Sequence, residues 1–199
     1  WHPGHYMLVF REESHATIFP KRIREICNET ALQGLQFKMD WGALEKDKGN
    51  YDFSRIDETY AALESCGKRL VLQVQVADFN STDPTGLVPG YILTDAEYNG
   101  GVAPTRSGFI ARLWDDPVMT RLIALSKALG ARYDDKPNFE GIVLAETATG
   151  QVPEGYGFTG TAYVAELERA IKSMAVAWPT TNVIAYNNYM QGISDAQFI

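Results

Sequence analysis

The sequence predicts an α/β fold built on a parallel sheet, and two observations lead to this prediction. Short apolar runs with strand character recur along the chain, and stretches with apolar residues at three- and four-residue spacing lie between them. A strand reached through a helical crossover runs parallel to the strand before it, so strict alternation indicates parallel strands with helices packed on the sheet.

Five strands and four helices are predicted in alternation. The predicted strands are residues 5–10, 35–39, 69–77, 139–145 and 182–186. The predicted helices are residues 20–29, 53–66, 117–133 and 163–177. Ser194 is a favourable N-cap residue, so a fifth helix is expected to begin there.

Two architectures fit this order, a doubly wound sheet and a (β/α)8 TIM barrel. A nucleotide-binding doubly wound sheet is expected to carry a glycine-rich loop after its first strand, whereas Arg11-Glu12-Glu13-Ser14 follows Phe10 here. The barrel is therefore favoured. A complete barrel needs eight units and about 250 residues. The sequence thus predicts a single partial barrel domain over residues 1–199, apparently truncated after about five strands.

Residues 78–116 form a long loop insertion after the third predicted strand. The segment is rich in Gly, Pro, Asn, Asp and Thr, and it contains several aromatic residues. Connections of this length in compact domains are usually functional or disordered. The aromatic content favours function.

The composition is that of an ordinary globular protein, with 45% hydrophobic residues and a net charge of -7. This charge argues against nucleic acid as a partner, because phosphate binding needs a basic patch. No apolar run is long enough for a membrane span, so no membrane partner is predicted. No cofactor is predicted, and the oligomeric state stays open.

Neither the cysteines nor the histidines suggest a metal site. Cys27 and Cys66 lie in predicted helices without metal-ligand spacing, and the simplest interpretation is two buried free thiols. His2, His5 and His15 cluster near the start without ligand spacing among them, which favours structural roles.

Active sites of barrels gather at the carboxyl ends of the strands, so polar residues at these ends are candidates for function. The first strand ends in Arg11 and Glu12. The candidates that follow the other four strands are Asp40 and Trp41, then Gln75 and Asp78, then Glu146, and finally Asn187, Asn188 and Tyr189.

Glu146 is the strongest catalytic candidate. It follows the uninterrupted apolar run Gly141-Ile142-Val143-Leu144-Ala145, which reads as a buried strand that ends in a carboxylate. Apolar surroundings favour the protonated form of such a group, as a general acid near neutral pH requires. The alternative is a strand-end glutamate held by an arginine or by backbone amides.

The other candidates have structural alternatives as well. Asp40 and Asp78 could bind sugar hydroxyls or could cap the following helix or turn. Trp41 lies in the cleft if the barrel is correct and in the core otherwise. Asn187, Asn188 and Tyr189 carry groups suited to hydroxyls, although asparagine pairs are also common in turns.

Residues 41–57, WGALEKDKGNYDFSRID, carry a resemblance to a known group of proteins. The segment resembles the region after the second strand in clan A glycoside hydrolases, such as the family 42 β-galactosidases. Trp114-Asp115-Asp116-Pro117 resembles the entry to their third helix, and residues 129–133 precede a strand that ends in Glu. Most of residues 41–57 are expected to be structural, with Trp41 filling the loop and Gly49 turning the chain.

The resemblance implies a retaining glycosidase that cleaves β-linked oligo- or polysaccharides. Glu146 maps onto the clan's general acid/base at the end of strand four, and the nucleophile would be a Glu at the end of strand seven, outside this chain. Residues 1–199 alone are thus expected to be inactive. Neutral sugars would stack on Trp41, Tyr91, Tyr98 and Trp114. Asp40, Gln75, Asp78, Asn187 and Tyr189 would bind substrate, and a secreted or periplasmic location is favoured.

One departure from the clan's pattern keeps alternatives open. The acid/base is usually preceded by Asn, which contacts the sugar 2-hydroxyl, and Ala145 stands at this position. The contact would then come from elsewhere, for example Asn187, or the protein would be a non-catalytic carbohydrate-binding derivative. A different barrel enzyme such as an aldolase would need a strand-end lysine, for which Lys38 is the candidate.

Overall fold

The computed structural model describes residues 2–10, 18–144 and 146–194. Several predicted features lie outside these residues, namely the end of the first predicted strand at Arg11 and Glu12, His15 and Ala145. The helix expected from Ser194 onwards also lies outside them, apart from Ser194 itself. Within the described part of the chain, no helix is long and apolar enough to cross a membrane.

Five parallel strands form one sheet, in which their spatial order follows their order along the chain. These strands are β1 (His5–Phe10), β2 (Leu32–Asp40), β5 (Arg69–Gln75), β9 (Phe139–Val143) and β10 (Asn182–Ile184). All four neighbouring pairs run parallel. The predicted α/β fold with five parallel strands is confirmed, and the described residues show an open sheet rather than a closed barrel.

Four of the described helices were predicted, with ends that shift by a few residues, and the two short helices at Trp41–Leu44 and Gly90–Thr94 were not. The helices are α1 (Ile18–Asn28), α2 (Trp41–Leu44), α3 (Ser54–Glu64), α4 (Gly90–Thr94), α5 (Asp116–Tyr133) and α6 (Gly160–Ala177). Helix α6 begins three residues before its predicted start because the Thr159 hydroxyl accepts a hydrogen bond from Ala162 N at 3.1 Å. Helix α5 begins with Asp115 as its N-cap residue and Pro117 in its first turn.

The two faces of the sheet differ in polarity, because side chains alternate along a strand. Phe37 on β2 is fully buried and lies 5.2 Å from Phe19 of α1, measured between ring centroids. On the opposite face, the Gln36 side chain donates to the Gln73 side chain at 2.8 Å. Apolar residues of the sheet thus pack under the helices, and the other face carries the polar side chains of Gln36, Lys38 and Gln73 beside apolar ones such as Val71 and Val143.

The insertion at residues 78–116 contains regular structure that sequence inspection did not predict. Strand β6 (Ala77–Asp78) pairs with β8 (Phe109–Ala111), which pairs with β7 (Val102–Pro104), and all pairings are antiparallel. Helix α4 and a 3₁₀ turn at Ala96–Tyr98 precede these strands. Strands of two or three residues are too short to show a periodicity, which explains why this segment reads as a loop.

The segment 41–57 folds into helix α2 followed by a hairpin of β3 (Glu45–Asp47) and β4 (Asn50–Tyr51). Gly49 turns the chain with φ of +80°, a conformation that favours glycine, as its position in the sequence predicted. Phe53 then packs between Tyr51 and Tyr133, with ring centroids 5.5 and 6.1 Å apart. The hairpin thereby anchors the start of α3 against α5.

The prediction of two free cysteine thiols is wrong, because the two cysteines form a disulfide. Cys27 of α1 and Cys66, just after α3, form a disulfide across a sequence separation of 39 residues. Cys27 lies on α1 and Cys66 lies in the turn that follows α3, so their proximity depends on how α1 packs against α3. Nothing in the local sequence around either cysteine encodes that contact.

We expect removal of this disulfide to destabilise the fold. Replacing both cysteines with serine should lower the free energy of unfolding by about 2–4 kcal/mol, because the bond restricts the unfolded chain. Urea denaturation of the oxidised protein, the reduced protein and the double variant measures the effect. Equal midpoints for the three samples would contradict a stabilising role for the bond.

Candidate active site

Glu146 stands at the carboxyl end of the fourth parallel strand, two residues beyond the buried Leu144. The side chain is half-buried, so the carboxylate is both enclosed by the protein and accessible to a ligand. The predicted alternative was an Arg or backbone amides as partners of this carboxylate. The structure instead places Asn188 there, whose side-chain Nδ2 donates to Glu146 Oε1.

The segments that follow β9 and β10 are joined by a short network of hydrogen bonds. The Thr147 hydroxyl accepts from Asn188 N at 2.7 Å and donates to Asn188 O at 2.8 Å. Thr147 N donates to Tyr186 O at 3.1 Å. Further along, Gln191 N donates to the Thr149 hydroxyl at 3.2 Å. These bonds continue the pairing of the two strands beyond their ends and fix Glu146 relative to Asn188.

Lys38 shares the polar face of the sheet with Glu146. Partial burial lowers the pKa of the Lys38 amine, and the nearby negative charge of Glu146 acts in the opposite direction. Lys38 lies on β2 at the register position of Gln73, so its side chain and Glu146 approach each other across the strand between them. The site therefore combines a carboxylate with an amine on a face lined by amides.

Asp40, Gln75 and Asp78 lie at or just after the ends of β2 and β5, as predicted. Asp40 is half-buried, and its side chain does not cap α2, which removes one structural alternative for this residue. Gln75 Nε2 donates to Ala77 O at 2.5 Å. Asp78 Oδ1 accepts from Asn80 N at 3.0 Å, which is the turn geometry that its sequence context also allowed. Asp40 and Gln75 are partners in the strand register.

Trp41 does not lie in a cleft. The structure therefore corrects the prediction that this residue stacks on sugars. The side chain is fully buried, and Nε1 donates to Glu45 Oε2 at 2.9 Å. Glu45 is itself fully buried and accepts from Gly49 N at 2.9 Å and from the Tyr91 hydroxyl at 3.0 Å. Arg121 of α5 completes the group through an ion pair with Glu45. Trp41 thus belongs to a buried polar cluster.

Trp114 and the loop tyrosines also serve the core rather than an exposed surface. Trp114 is 5% exposed, its Nε1 donates to Tyr156 O at 2.9 Å, and its ring meets Phe158 edge-on at 4.9 Å. Tyr98 is 1% exposed, and the Tyr91 hydroxyl is held by Glu45 and Arg121. A ring that stacks on a sugar needs an exposed face, which Trp41, Trp114 and Tyr98 lack.

The exposed aromatic rings near Glu146 come from the segment after β10. Tyr189, a predicted binding residue, is 59% exposed, and Tyr186 is 47% exposed. Asn187 is exposed as well. Tyr186 and the contact of Asn188 with Glu146 were missed by sequence inspection, because only the pairing of the segments after β9 and β10 brings them to the carboxylate.

A crevice near the sheet has no titratable chemistry of its own. An apolar crevice between the sheet and helices α5 and α6 is lined by Val74, Leu125, Ile142 and Met174 among others, and none of its lining side chains is titratable. It therefore belongs to the core. Within the described residues, no group of three or more His, Cys, Asp or Glu side chains could hold a metal ion.

The arrangement around Glu146 has the elements of proton-transfer chemistry. A half-exposed carboxylate can donate or accept a proton, and the amide of Asn188 holds one of its oxygens while exposed tyrosine rings lie nearby. The arrangement could therefore support acid/base chemistry at Glu146.

Comparisons with known proteins were consistent with this architecture. No protein-family model matches the chain, and no curated protein matches it. Among solved structures, GH5_18 from Bifidobacterium longum aligns with a TM-score of 0.66 and 12% identity, over 94% of this chain and 46% of its own. Endo-glycoceramidase II from Rhodococcus sp. aligns with a TM-score of 0.64 and 14% identity, over 92% of this chain and 48% of its own.

The β-galactosidase from Rahnella sp. R3 aligns with a TM-score of 0.65 and 12% identity, over 92% of this chain and 36% of its own. The chain spans less than half the length of these three proteins. These structural alignments establish the fold, and sequence identities this low leave the activity open. The resemblance seen in residues 41–57 is confirmed at this level: the chain has the fold of the corresponding part of TIM-barrel glycoside hydrolases.

Proposed function

We propose that the chain is part of a retaining glycoside hydrolase that cleaves β-glycosidic bonds in oligo- or polysaccharides. The observation that carries the proposal is the position of Glu146, a half-exposed carboxylate at the carboxyl end of the fourth strand in a sheet shared with solved glycosidases. Active sites in barrels form at this end of the strands. In the clan that the sequence resembles, the general acid/base is a glutamate at the end of strand four, and this position also corresponds to Glu146.

In the proposed mechanism, Glu146 acts twice. It first protonates the leaving glycosidic oxygen while a second carboxylate attacks the anomeric carbon and forms a glycosyl-enzyme intermediate. It then takes a proton from water as the water displaces that carboxylate. Retention requires the two carboxylates to stand about 5–5.5 Å apart. The resemblance assigns the second carboxylate to a seventh strand, and the part of the chain that the structure describes contributes five parallel strands.

The substrate class follows from the neighbours and from the exposed rings. The neighbouring solved structures include a β-galactosidase and an exo-β-1,4-mannosidase. The exposed rings of Tyr186 and Tyr189 offer apolar faces suited to sugar rings, and Asp40, Gln75, Asp78 and Asn187 supply groups suited to hydroxyls. A neutral carbohydrate with a β-linkage is the substrate we propose.

The direct test compares residues 1–199 with a longer protein that contains them and continues through further βα units. We expect the longer protein to hydrolyse aryl β-glycosides and to release the β-anomer first, as followed by proton NMR. Residues 1–199 alone should show no turnover, because the resemblance assigns the attacking carboxylate to a later strand. First release of the α-anomer would contradict retention, and turnover by residues 1–199 alone would place both carboxylates within this chain.

A non-catalytic carbohydrate-binding protein is the second candidate, and Ala145 is the observation that favours it. The clan's acid/base is usually preceded by an asparagine that contacts the substrate, and alanine offers no such contact. Isothermal titration calorimetry of the longer protein with β-linked oligosaccharides separates the two candidates. Binding without any product after long incubation would favour this second function over the first.

A further inference from the structure

The amide of Asn188 has a defined orientation. Its Oδ1 accepts a hydrogen bond from the backbone N of Tyr189 at 2.7 Å, and a backbone N–H is always a donor. The oxygen end of the amide is therefore fixed toward Tyr189. The nitrogen end must face Glu146, to which Nδ2 donates. This contact is thus not interchangeable with a flipped amide.

The backbone of Asn188 is equally constrained. Both its N–H and its carbonyl bond to the hydroxyl of Thr147, at 2.7 and 2.8 Å. Thr147 directly follows Glu146 in the chain and is 5% exposed. The residue that carries the amide is therefore tied to the same short segment as the carboxylate, so the two side chains keep their relative position.

The orientation of this amide divides the roles of the two carboxylate oxygens. Glu146 Oε1 accepts the amide N–H, and an oxygen that accepts this bond cannot at the same time direct a proton along it. Because Oε1 is the oxygen that accepts from Asn188, Oε2 is the oxygen left to carry the acid proton to a leaving oxygen in the proposed reaction.

We propose that Asn188 is a positioning residue for Glu146, one that selects Oε2 as the oxygen that carries the transferred proton. The inference rests on the proposed function, since it assigns a partner to the acid/base of that reaction. This role differs from that of the asparagine that usually precedes the acid/base in the clan. Asn188 follows the next strand, β10, and donates to the carboxylate itself.

The test uses the longer protein with two aryl β-glycosides whose leaving groups differ in acidity. Phenyl glycosides need protonation of the leaving oxygen, whereas 2,4-dinitrophenyl glycosides do not. Asn188→Ala and the isosteric Asn188→Asp both remove the amide donor, and Asn188→Asp keeps the side-chain shape and the acceptor for Tyr189 N. We expect kcat/KM for the phenyl glycoside to fall roughly tenfold to a hundredfold in both variants, with little change for the dinitrophenyl glycoside.

Asn182→Ala is the matched control. Asn182 is an asparagine on the same strand, β10, whose side chain donates to Glu140 O at 2.8 Å, before the strand reaches the candidate site. This variant should lower the thermal midpoint without changing the ratio of kcat/KM for the two substrates. A structural effect of losing an asparagine hydrogen bond is thereby separated from loss of acid positioning.

The outcomes are distinct. Retention of the wild-type ratio by Asn188→Asp, or an equal fall for both substrates in the Asn188 variants, would overturn the positioning role. Glu146→Gln, measured on the same two substrates, tests the proposed function separately. If Glu146→Gln leaves phenyl glycoside turnover intact, the proposed function fails. If Glu146→Gln lowers kcat/KM for the phenyl glycoside selectively and the Asn188 variants do not, only the role of Asn188 fails.

Discussion

Replacing Glu146 with glutamine in the longer protein should lower kcat/KM for β-glycosides with poor leaving groups by about 10²–10⁴-fold. Glutamine has nearly the same shape as glutamate but can neither donate the acid proton nor take one from water. Asn188 Nδ2 can still donate to the amide oxygen of the glutamine, so the local fold is expected to persist. The measurement is steady-state kinetics with a series of aryl β-glycosides of increasing leaving-group acidity.

The dependence on the leaving group distinguishes catalysis from a structural effect. A dinitrophenyl leaving group departs without a proton, so kcat/KM for this substrate should change little while kcat falls, because the second step still needs a base. In Glu146→Ala, added azide should restore kcat, since azide attacks the intermediate without deprotonation and yields a β-glycosyl azide. A uniform loss over all leaving groups, or no azide effect, would argue against Glu146 as the acid/base.

Glu154→Gln is the control for this experiment. Glu154 lies on the same connection after β9 and is exposed, and no role in the site is assigned to it. Its substitution makes the same chemical change at a nearby position. We expect wild-type values of kcat and KM for all substrates, so that a loss confined to Glu146→Gln reports on that carboxylate alone.

The positions of the strands and of Glu146 could be predicted because they depend on local patterns. A continuous apolar run such as residues 141–145 must be buried, and a carboxylate directly after it must lie at a strand end. The sequence also indicated that Gly49 turns the chain. These features follow from periodicity, from burial and from the backbone freedom of glycine, all of which are encoded within about ten residues.

The roles of Trp41, Asn188 and the cysteines could not be predicted in the same way. Trp41 reads as a cleft residue by its strand-end position, but its indole N–H finds the buried carboxylate of Glu45 four residues later. Asn188 reaches Glu146 only through the pairing of segments 42 residues apart. Cys27 and Cys66 meet only through helix packing. The contacts of Asn188 and of the cysteines belong to the tertiary structure, and the burial of Trp41 depends on the cluster that Tyr91 and Arg121 complete around Glu45.

The buried cluster around Glu45 should be the most sensitive part of the fold to substitution. Replacing Arg121 with methionine should lower the free energy of unfolding by about 3–5 kcal/mol, because it leaves a buried carboxylate without its cation. Glu45 is 0% exposed and Arg121 is 14% exposed, so water cannot solvate the carboxylate in place of the lost guanidinium. Urea denaturation of Arg121→Met against the unmodified protein measures the effect.

Arg132→Met is the matched control, because it removes the same type of side chain from the same helix. Arg132 pairs with Asp57 through contacts of 3.0 and 2.5 Å, and the two side chains are 52% and 40% exposed. Water and salt screen a pair of this kind, so the expected loss is about 1 kcal/mol or less. The comparison isolates burial as the cause of the larger effect at Arg121.

A second substitution tests whether the cost arises from the unpaired charge. In the double variant Glu45→Gln with Arg121→Met, the carboxylate becomes a neutral amide whose oxygen can still accept from Gly49 N and the Tyr91 hydroxyl. The double variant should then be less destabilised than the sum of the two single variants. Strict additivity would mean that Arg121 stabilises the fold independently of Glu45, for example through its hydrogen bond to the Tyr91 hydroxyl. A double variant less destabilised than the sum would instead identify the Glu45–Arg121 ion pair as a stabilising contact between α5 and the hairpin that begins at Glu45.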